Sequence, residues 1–168
     1  MVEAKGLHWD QREGKAMKGS KILLVDDEVV FTTNMGKLLT NRGYKVTAAN
    51  SGDAAIQALE KENFDVVVLD LKMPGMDGLA TLKEIKKLGL FTETLILTGH
   101  GSIDTALEAI KLGAYDYLTK PCEIDDLLGK IEGAWQKKDG SERKEIKGKK
   151  QKVVESPSSI FDLFRKKK

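Results

Sequence analysis

Short strand-like runs alternate with helical patterns along most of the chain. Ile22-Leu23-Leu24-Val25 is continuously apolar and ends in Asp26, the pattern of a strand buried on both faces. Val29, Thr32, Met35, Gly36 and Leu39 follow at helical spacing over residues 28–42, and Gly43 supplies a stop. Lys45–Ala49 reads as a second, shorter strand. Ser51 reads as the N-cap of a helix that turns Ala54, Ala55, Ala58 and Leu59 inward. Val66-Val67-Val68-Leu69 is the most β-prone run and again ends in an aspartate, Asp70. After the loop Met73-Pro74-Gly75-Met76-Asp77-Gly78, a helix carries Leu79, Leu82, Ile85 and Leu88. Leu95-Ile96-Leu97 is a fourth buried strand ending at Thr98. Ile103, Leu107 and Ile110 mark a helix that stops at Gly113, and residues 115–119 form a fifth strand ending at Lys120-Pro121. Ile124, Leu127, Leu128, Ile131 and Trp135 form the apolar stripe of a last helix, with Asp125 and Asp126 in its first turn and Lys137 and Lys138 in its last, as the helix dipole favours.

Five strands alternating with five helices predict an α/β fold with a doubly wound parallel sheet, because parallel strands need crossover helices. The domain is expected over residues 20–137, preceded by a flexible leader (1–19) and followed by a basic flexible tail (138–168). Charge divides the same way. Residues 21–136 carry 12 Lys and Arg against 18 Asp and Glu, whereas residues 137–168 carry 12 against 5. The +2 net charge of the 168 residues thus conceals an acidic domain with a basic tail. No apolar run approaches the ~20 residues that cross a bilayer, the charged first residues lack a secretory core, and the single cysteine, Cys122, cannot form an internal disulfide. All three point to the reducing cytoplasm.

In a doubly wound sheet the ligand site lies in the crevice at the carboxyl ends of the strands. Those ends here read Asp26-Asp27, Asp70, Thr98 and Lys120. Clustered carboxylates raise one another's pKa unless a cation sits among them, and hard oxygen ligands in a small open site suit Mg²⁺. Lys120 offers a positive point charge to phosphoryl oxygens, and Thr98 a hydroxyl that hydrogen-bonds to one. A carboxylate can itself be the nucleophile and form an aspartyl phosphate. The set points to phosphoryl transfer onto an Asp.

Residues 21–136 resemble the receiver domain of two-component response regulators throughout. The resemblance is carried by Leu24-Val25-Asp26-Asp27-Glu28, by Leu69-Asp70-Leu71-Lys72-Met73-Pro74-Gly75-Met76-Asp77-Gly78, by Leu97-Thr98-Gly99-His100-Gly101 and by Tyr117-Leu118-Thr119-Lys120-Pro121, in that order and spacing. It implies the flavodoxin-like strand order 2-1-3-4-5. It implies that Asp70 accepts a phosphoryl group from a histidine kinase or phosphotransfer protein, and that the domain catalyses its own phosphorylation and dephosphorylation. Asp26 and Asp27 would hold Mg²⁺, with Asp70 and the backbone carbonyl of Lys72. Thr98 and Tyr117 match the family's switch pair, which on phosphorylation repacks the surface of the fourth helix, fifth strand and fifth helix for a downstream protein target. His100 and Lys72 stand where the family tunes the lifetime of the phosphoryl group, and the Lys120-Pro121 bond is commonly cis.

Two rivals are weighed against this reading. A phosphatase of the haloacid-dehalogenase type also uses a nucleophilic Asp and Mg²⁺, but it places a second Asp two residues on, where this chain has Lys72. The stretch from Leu97 to Lys120 has the flavour of receivers attached to transcriptional activators, yet no helix-turn-helix pattern or P-loop follows residue 138, so a single-domain regulator is favoured over a fragment of a larger activator. The lysine-dense stretch 144–152 is expected to be a flexible linker. Beyond Pro157, Ser158 to Lys166 resembles one or two turns of amphipathic helix, with Ile160, Phe161, Leu163 and Phe164 as a docking element for a protein groove or an anionic membrane; no specific nucleic-acid binding is expected.

Overall fold

The structure is a computed structural model that describes residues 18–99 and 103–154, with side chains as far as residue 150. The leader up to residue 17, His100 and the amphipathic segment 158–166 lie outside the described residues. The elements are β1 (Lys21–Val25), α1 (Val29–Asn41), β2 (Lys45–Ala49), α2 (Gly52–Lys61), β3 (Val66–Leu69), α3 (Gly78–Lys87), β4 (Glu93–Thr98), α4 (Ile103–Lys111), β5 (Asp116–Thr119) and α5 (Ile124–Val154).

The five strands pair in parallel in the order β2-β1-β3-β4-β5. Their alternate residues feed two cores. Leu23, Val25, Val67, Leu69 and Ile96 meet α2, α3 and α4 on one face; Ile22, Leu24, Val66, Val68, Leu95 and Leu97 meet α1 and α5 on the other. Burial on both faces is why β1 and β3 read as unbroken apolar runs. The winding reverses beside β1, so the crevice opens at the carboxyl ends of β1 and β3, where Asp26 and Asp70 stand. The register Val25↔Leu69↔Ile96↔Tyr117 brings the strand ends level across the sheet.

Several elements differ from the sequence pattern. Strand β4 begins at Glu93 rather than Leu95, because Glu93 and Thr94 are buried although polar; the Glu93 carboxylate is met by Lys137 Nζ at 3.2 Å. On α4 the residues that face the sheet are Ala106 and Ala109, whereas Ile103 and Leu107 are exposed. Val29, which shares the helical spacing of Thr32, Met35 and Leu39, is exposed at the start of α1.

The largest difference is α5. Its helix passes residue 137 and runs through the lysine-dense stretch expected to be a flexible linker, ending at Val154. Lysine density conceals acids at helical spacing: Lys138 pairs with Glu142 (2.8 Å), Asp139 with Arg143 (2.9 Å) and Glu145 with Lys149 (2.7 Å). Each such i,i+4 pair adds only about 0.3–0.5 kcal/mol, but they run in series along the exposed helix. At the rim of the sheet Lys138 also reaches Asp65 at 2.9 Å, so Lys137 and Lys138 together fasten α5 to the amino ends of β4 and β3.

Two glycines one turn apart in α5 have opposite roles. A Cβ at Gly129 meets nothing within 4 Å, whereas at Gly133 it would fall 2.2 Å from the Tyr115 hydroxyl. Gly129→Ala is therefore expected to stabilise the domain by up to about 1 kcal/mol. Gly133→Ala should instead lose about 1–3 kcal/mol through overpacking against Tyr115. Urea midpoints that moved the same way in both variants would refute this account.

Candidate functional site

The backbone ladder runs one residue past β1 and β3. The Asp26 amide donates to the Ala49 carbonyl (3.1 Å) and the Asp70 amide to the Val25 carbonyl (2.9 Å), which fixes both aspartates at the crevice. The Lys120 amide donates to the Thr98 carbonyl (2.7 Å) and so brings the lysine to the same edge. Carboxylate oxygens of Asp26, Asp27 and Asp70 lie within 4.8 Å of one another; Asp26 and Asp70 are buried and Asp27 is exposed.

Asp70 Oδ1 accepts bonds from the Thr98 hydroxyl (3.1 Å) and the Lys72 amide (3.2 Å), while Oδ2 lies 3.6 Å from Lys120 Nζ. Lys120 donates a hydrogen bond to Asp26 Oδ2, and Asp26 Oδ1 also accepts from the Glu28 amide (2.9 Å). Glu28 stands at 4.0 Å from the ammonium, whose fourth neighbour is the ring of Phe31, 4.1 Å from Nζ to the centroid.

The electrostatics are those of a crowded anionic site. Burial raises the Asp26 pKa, and the charge of Asp70 adds to it, against the bonds from Lys120 and the Glu28 amide. Burial alone would lower the Lys120 pKa, but the bond to Asp26 and the charges of Asp70, Asp26 and Glu28 outweigh it and raise it. The carboxylates of Asp26, Asp27 and Asp70, the first and last beside the one ammonium of Lys120 and Asp27 open to water, form a donor set that fits a small hard dication.

Asp26, Asp27, Asp70, Thr98 and Lys120 thus meet at one edge. Lys72 contributes its amide to Asp70. Tyr117 is half-buried against the core on the α2, α3 and α4 side and pairs with Ile96, two residues before Thr98 on the same sheet face. The Lys120-Pro121 bond is cis. Two residues were not signalled by the sequence. Phe31 sits in the first turns of α1, where an aromatic looks like core. Asn50 follows β2 and donates to the Asp26 carbonyl (2.9 Å) and to the Thr32 hydroxyl (3.2 Å), tying the acidic loop to α1.

A buried aspartate bonded by a threonine hydroxyl, flanked by two further carboxylates and a lysine at the carboxyl edge of a 2-1-3-4-5 sheet, defines a phosphoacceptor module. A family model of the response regulator receiver domain matches residues 22–132, and the chain belongs to that family. Among curated relatives, transcriptional regulatory protein ZraR of Escherichia coli K12 is 46% identical over 113 residues, covering 67% of this chain and 26% of that protein. DNA-binding transcriptional regulator NtrC of Salmonella typhimurium is 32% identical over 152 residues, covering 89% of this chain and 32% of that protein. The chain therefore spans about a quarter to a third of the length of these relatives. Among solved structures, a response regulator receiver domain protein from Clostridium thermocellum superposes with a TM-score of 0.68 at 38% identity, covering 71% of this chain and 97% of that one. NtrX from Brucella abortus gives 0.71 at 35%, covering 74% and 29%. The chain is thus a two-component receiver, of a family that takes phosphoryl groups on Asp, generally uses Mg²⁺ and interacts with histidine kinases. Among the described residues no helix is long and apolar enough to cross a membrane.

Proposed function

We propose that Asp70 is the phosphoacceptor and that this domain catalyses its own phosphorylation and dephosphorylation. The observation that carries the reading is the placement of Asp70: Thr98 and Lys72 hold one oxygen, and the other lies 3.6 Å from Lys120 within the three-carboxylate cluster. An Asp70 oxygen attacks phosphorus, the P–N bond of a kinase phosphohistidine breaks, and its electron pair returns to the imidazole, which takes up a proton. Asp26, Asp27, Asp70 and the Lys72 carbonyl are the proposed ligands of Mg²⁺, which when bound offsets the charge of the phosphoryl oxygens. Lys120 pairs with one of those oxygens. Thr98 follows another, and Tyr117 turns inward behind it. Attack by water on phosphorus later releases phosphate and restores the carboxylate.

The proposed output is the α4-β5-α5 surface, where Ile103 and Leu107 of α4 are already exposed. It would serve a downstream protein in the cytoplasm. The relatives support a second reading of output, in which this receiver belongs to a larger transcriptional activator: ZraR and NtrC are transcriptional regulators by their names.

Acetyl phosphate with Mg²⁺ is expected to label the protein at one site, and EDTA to abolish the label. Asp70→Ala should remove it completely and Asp27→Ala should remove Mg²⁺ binding, whereas Thr98→Ala should still accept phosphate but fail to shift the amide resonances of α4 and β5. Undiminished labelling of Asp70→Ala, or turnover of a free phosphate ester, would sink the assignment.

A further inference from the structure

Among the described residues the ammonium of Lys120 has four neighbours, and they differ in what a metal ion does to them. Asp26 and Asp70 belong to the carboxylate cluster suited to a dication. A dication there takes up their lone pairs and also repels the ammonium. Glu28 is the third neighbour, at 4.0 Å, but its side chain is 68% exposed and its charge is screened by water. The fourth is the face of the Phe31 ring, 4.1 Å from Nζ to the centroid, well inside the range of a cation–π contact. A hard dication prefers oxygen and does not compete for that ring.

The ring is also well placed to keep its position. It packs against the core formed by Met35 and Leu39 of its own helix, and with Met35, Gly99, Pro121 and Cys122 it lines a recess of about 420 Å³ along the Lys120 side chain. The following residue, Thr32, is buried and bonded through Asn50 to the carbonyl of Asp26, so the ring and the acidic loop are held in register.

We infer that Phe31 is a positioning residue for phosphoryl transfer: the face of its ring holds the Lys120 ammonium beside Asp70 once a divalent cation has claimed the carboxylates. The inference rests on the phosphoacceptor reading above for its kinetic consequence, but not for its geometry. Phe31→Leu keeps an apolar side chain in the recess and removes the ring face, and Phe31→Tyr restores it.

The primary measurement is the ¹H and ¹³C shifts of the Lys120 ε-methylene, which an aromatic face moves upfield. In the wild type that upfield shift is expected to persist when Mg²⁺ is added, to vanish in Phe31→Leu and to return in Phe31→Tyr. With acetyl phosphate and saturating Mg²⁺, Phe31→Leu should be phosphorylated about three- to tenfold more slowly, with unchanged Mg²⁺ affinity and with Phe31→Tyr near the wild-type rate. Loss of the wild-type upfield shift on adding Mg²⁺ would overturn the inference without any variant having to fold. A wild-type rate in Phe31→Leu would overturn it equally. If instead Asp70→Ala is still labelled, the phosphoacceptor assignment fails while the Lys120 shifts still decide where the ammonium sits.

Discussion

Gly78→Ala is expected to destabilise the domain by about 3 kcal/mol or more and to prevent phosphorylation of Asp70. A Cβ there would lie 2.3 Å from the Leu71 Cα and 2.4 Å from the Asp70 carbonyl oxygen. Both are backbone atoms, so no rotamer relieves the clash, and the chain that must move is the one presenting Asp70. The Gly78 amide meanwhile donates to the Leu71 carbonyl at 3.0 Å, which closes the loop onto the start of α3. Gly75 in the same loop makes the contrast. It has space around it but a φ of 75°, so alanine there should cost only about 1 kcal/mol in backbone strain and leave labelling intact. Urea unfolding followed by acetyl phosphate labelling checks both. A wild-type midpoint for Gly78→Ala would remove the steric account.

Mg²⁺ is expected to stabilise the folded domain strongly, because the unfolded chain does not hold Asp26, Asp27 and Asp70 within 4.8 Å of one another. At a hundredfold excess over its dissociation constant a ligand adds about 2.7 kcal/mol, a rise in Tm of about 5–10 °C for a domain of this size. Asp27→Ala should lose that rise. Asp26→Asn should lose it too, and its metal-free form has a distinctive pH dependence. The Asp26 pKa is raised on folding, chiefly by burial, so its ionisation opposes the folded state. That penalty is absent below the ordinary carboxylate value and fully present above the raised one. The stability of Asp26→Asn relative to wild type should therefore climb as pH rises from about 4 to neutral. Equal pH profiles in calorimetry, or no Mg²⁺ effect on wild-type Tm, would contradict this.

Both results depend on how much of the site was written in the amino-acid order. Strands β1 and β3 were recognisable because burial on both faces leaves no polar residue until the crevice, so Asp26 and Asp70 mark their own strand ends. Strand β4 was read short because Glu93 and Thr94 are polar; the partner of Glu93 is Lys137, 44 residues away. On α4 the pattern favoured the bulkiest apolar residues, yet the close approach of the helix to the sheet selects Ala106 and Ala109 and leaves Ile103 and Leu107 outside. The extension of α5 was missed because composition outweighed spacing: the lysines suggested a solvated linker, although Glu142, Glu145 and Asp139 stand at the intervals that pair them. Phe31 and Asn50 carry no local signal at all, since each acts through a residue far along the chain, Lys120 in one case and Asp26 in the other.

Helix α5 leaves its last anchor on the sheet at Lys138 and continues to Val154. At 1.5 Å per residue the projecting part is about 24 Å long. Its near end begins four residues after Lys120, beside the edge where the lysine meets Asp26 and Asp70. Before that anchor Leu127, Ile131 and Ala134 hold the helix in the core, so the projecting part is a beam clamped at Lys138, which is its fulcrum. A tilt of about 5° about that fulcrum displaces the far end by about 2 Å, given the helical rise. A rotation of the clamped segment therefore reaches Val154 as a displacement of atomic size.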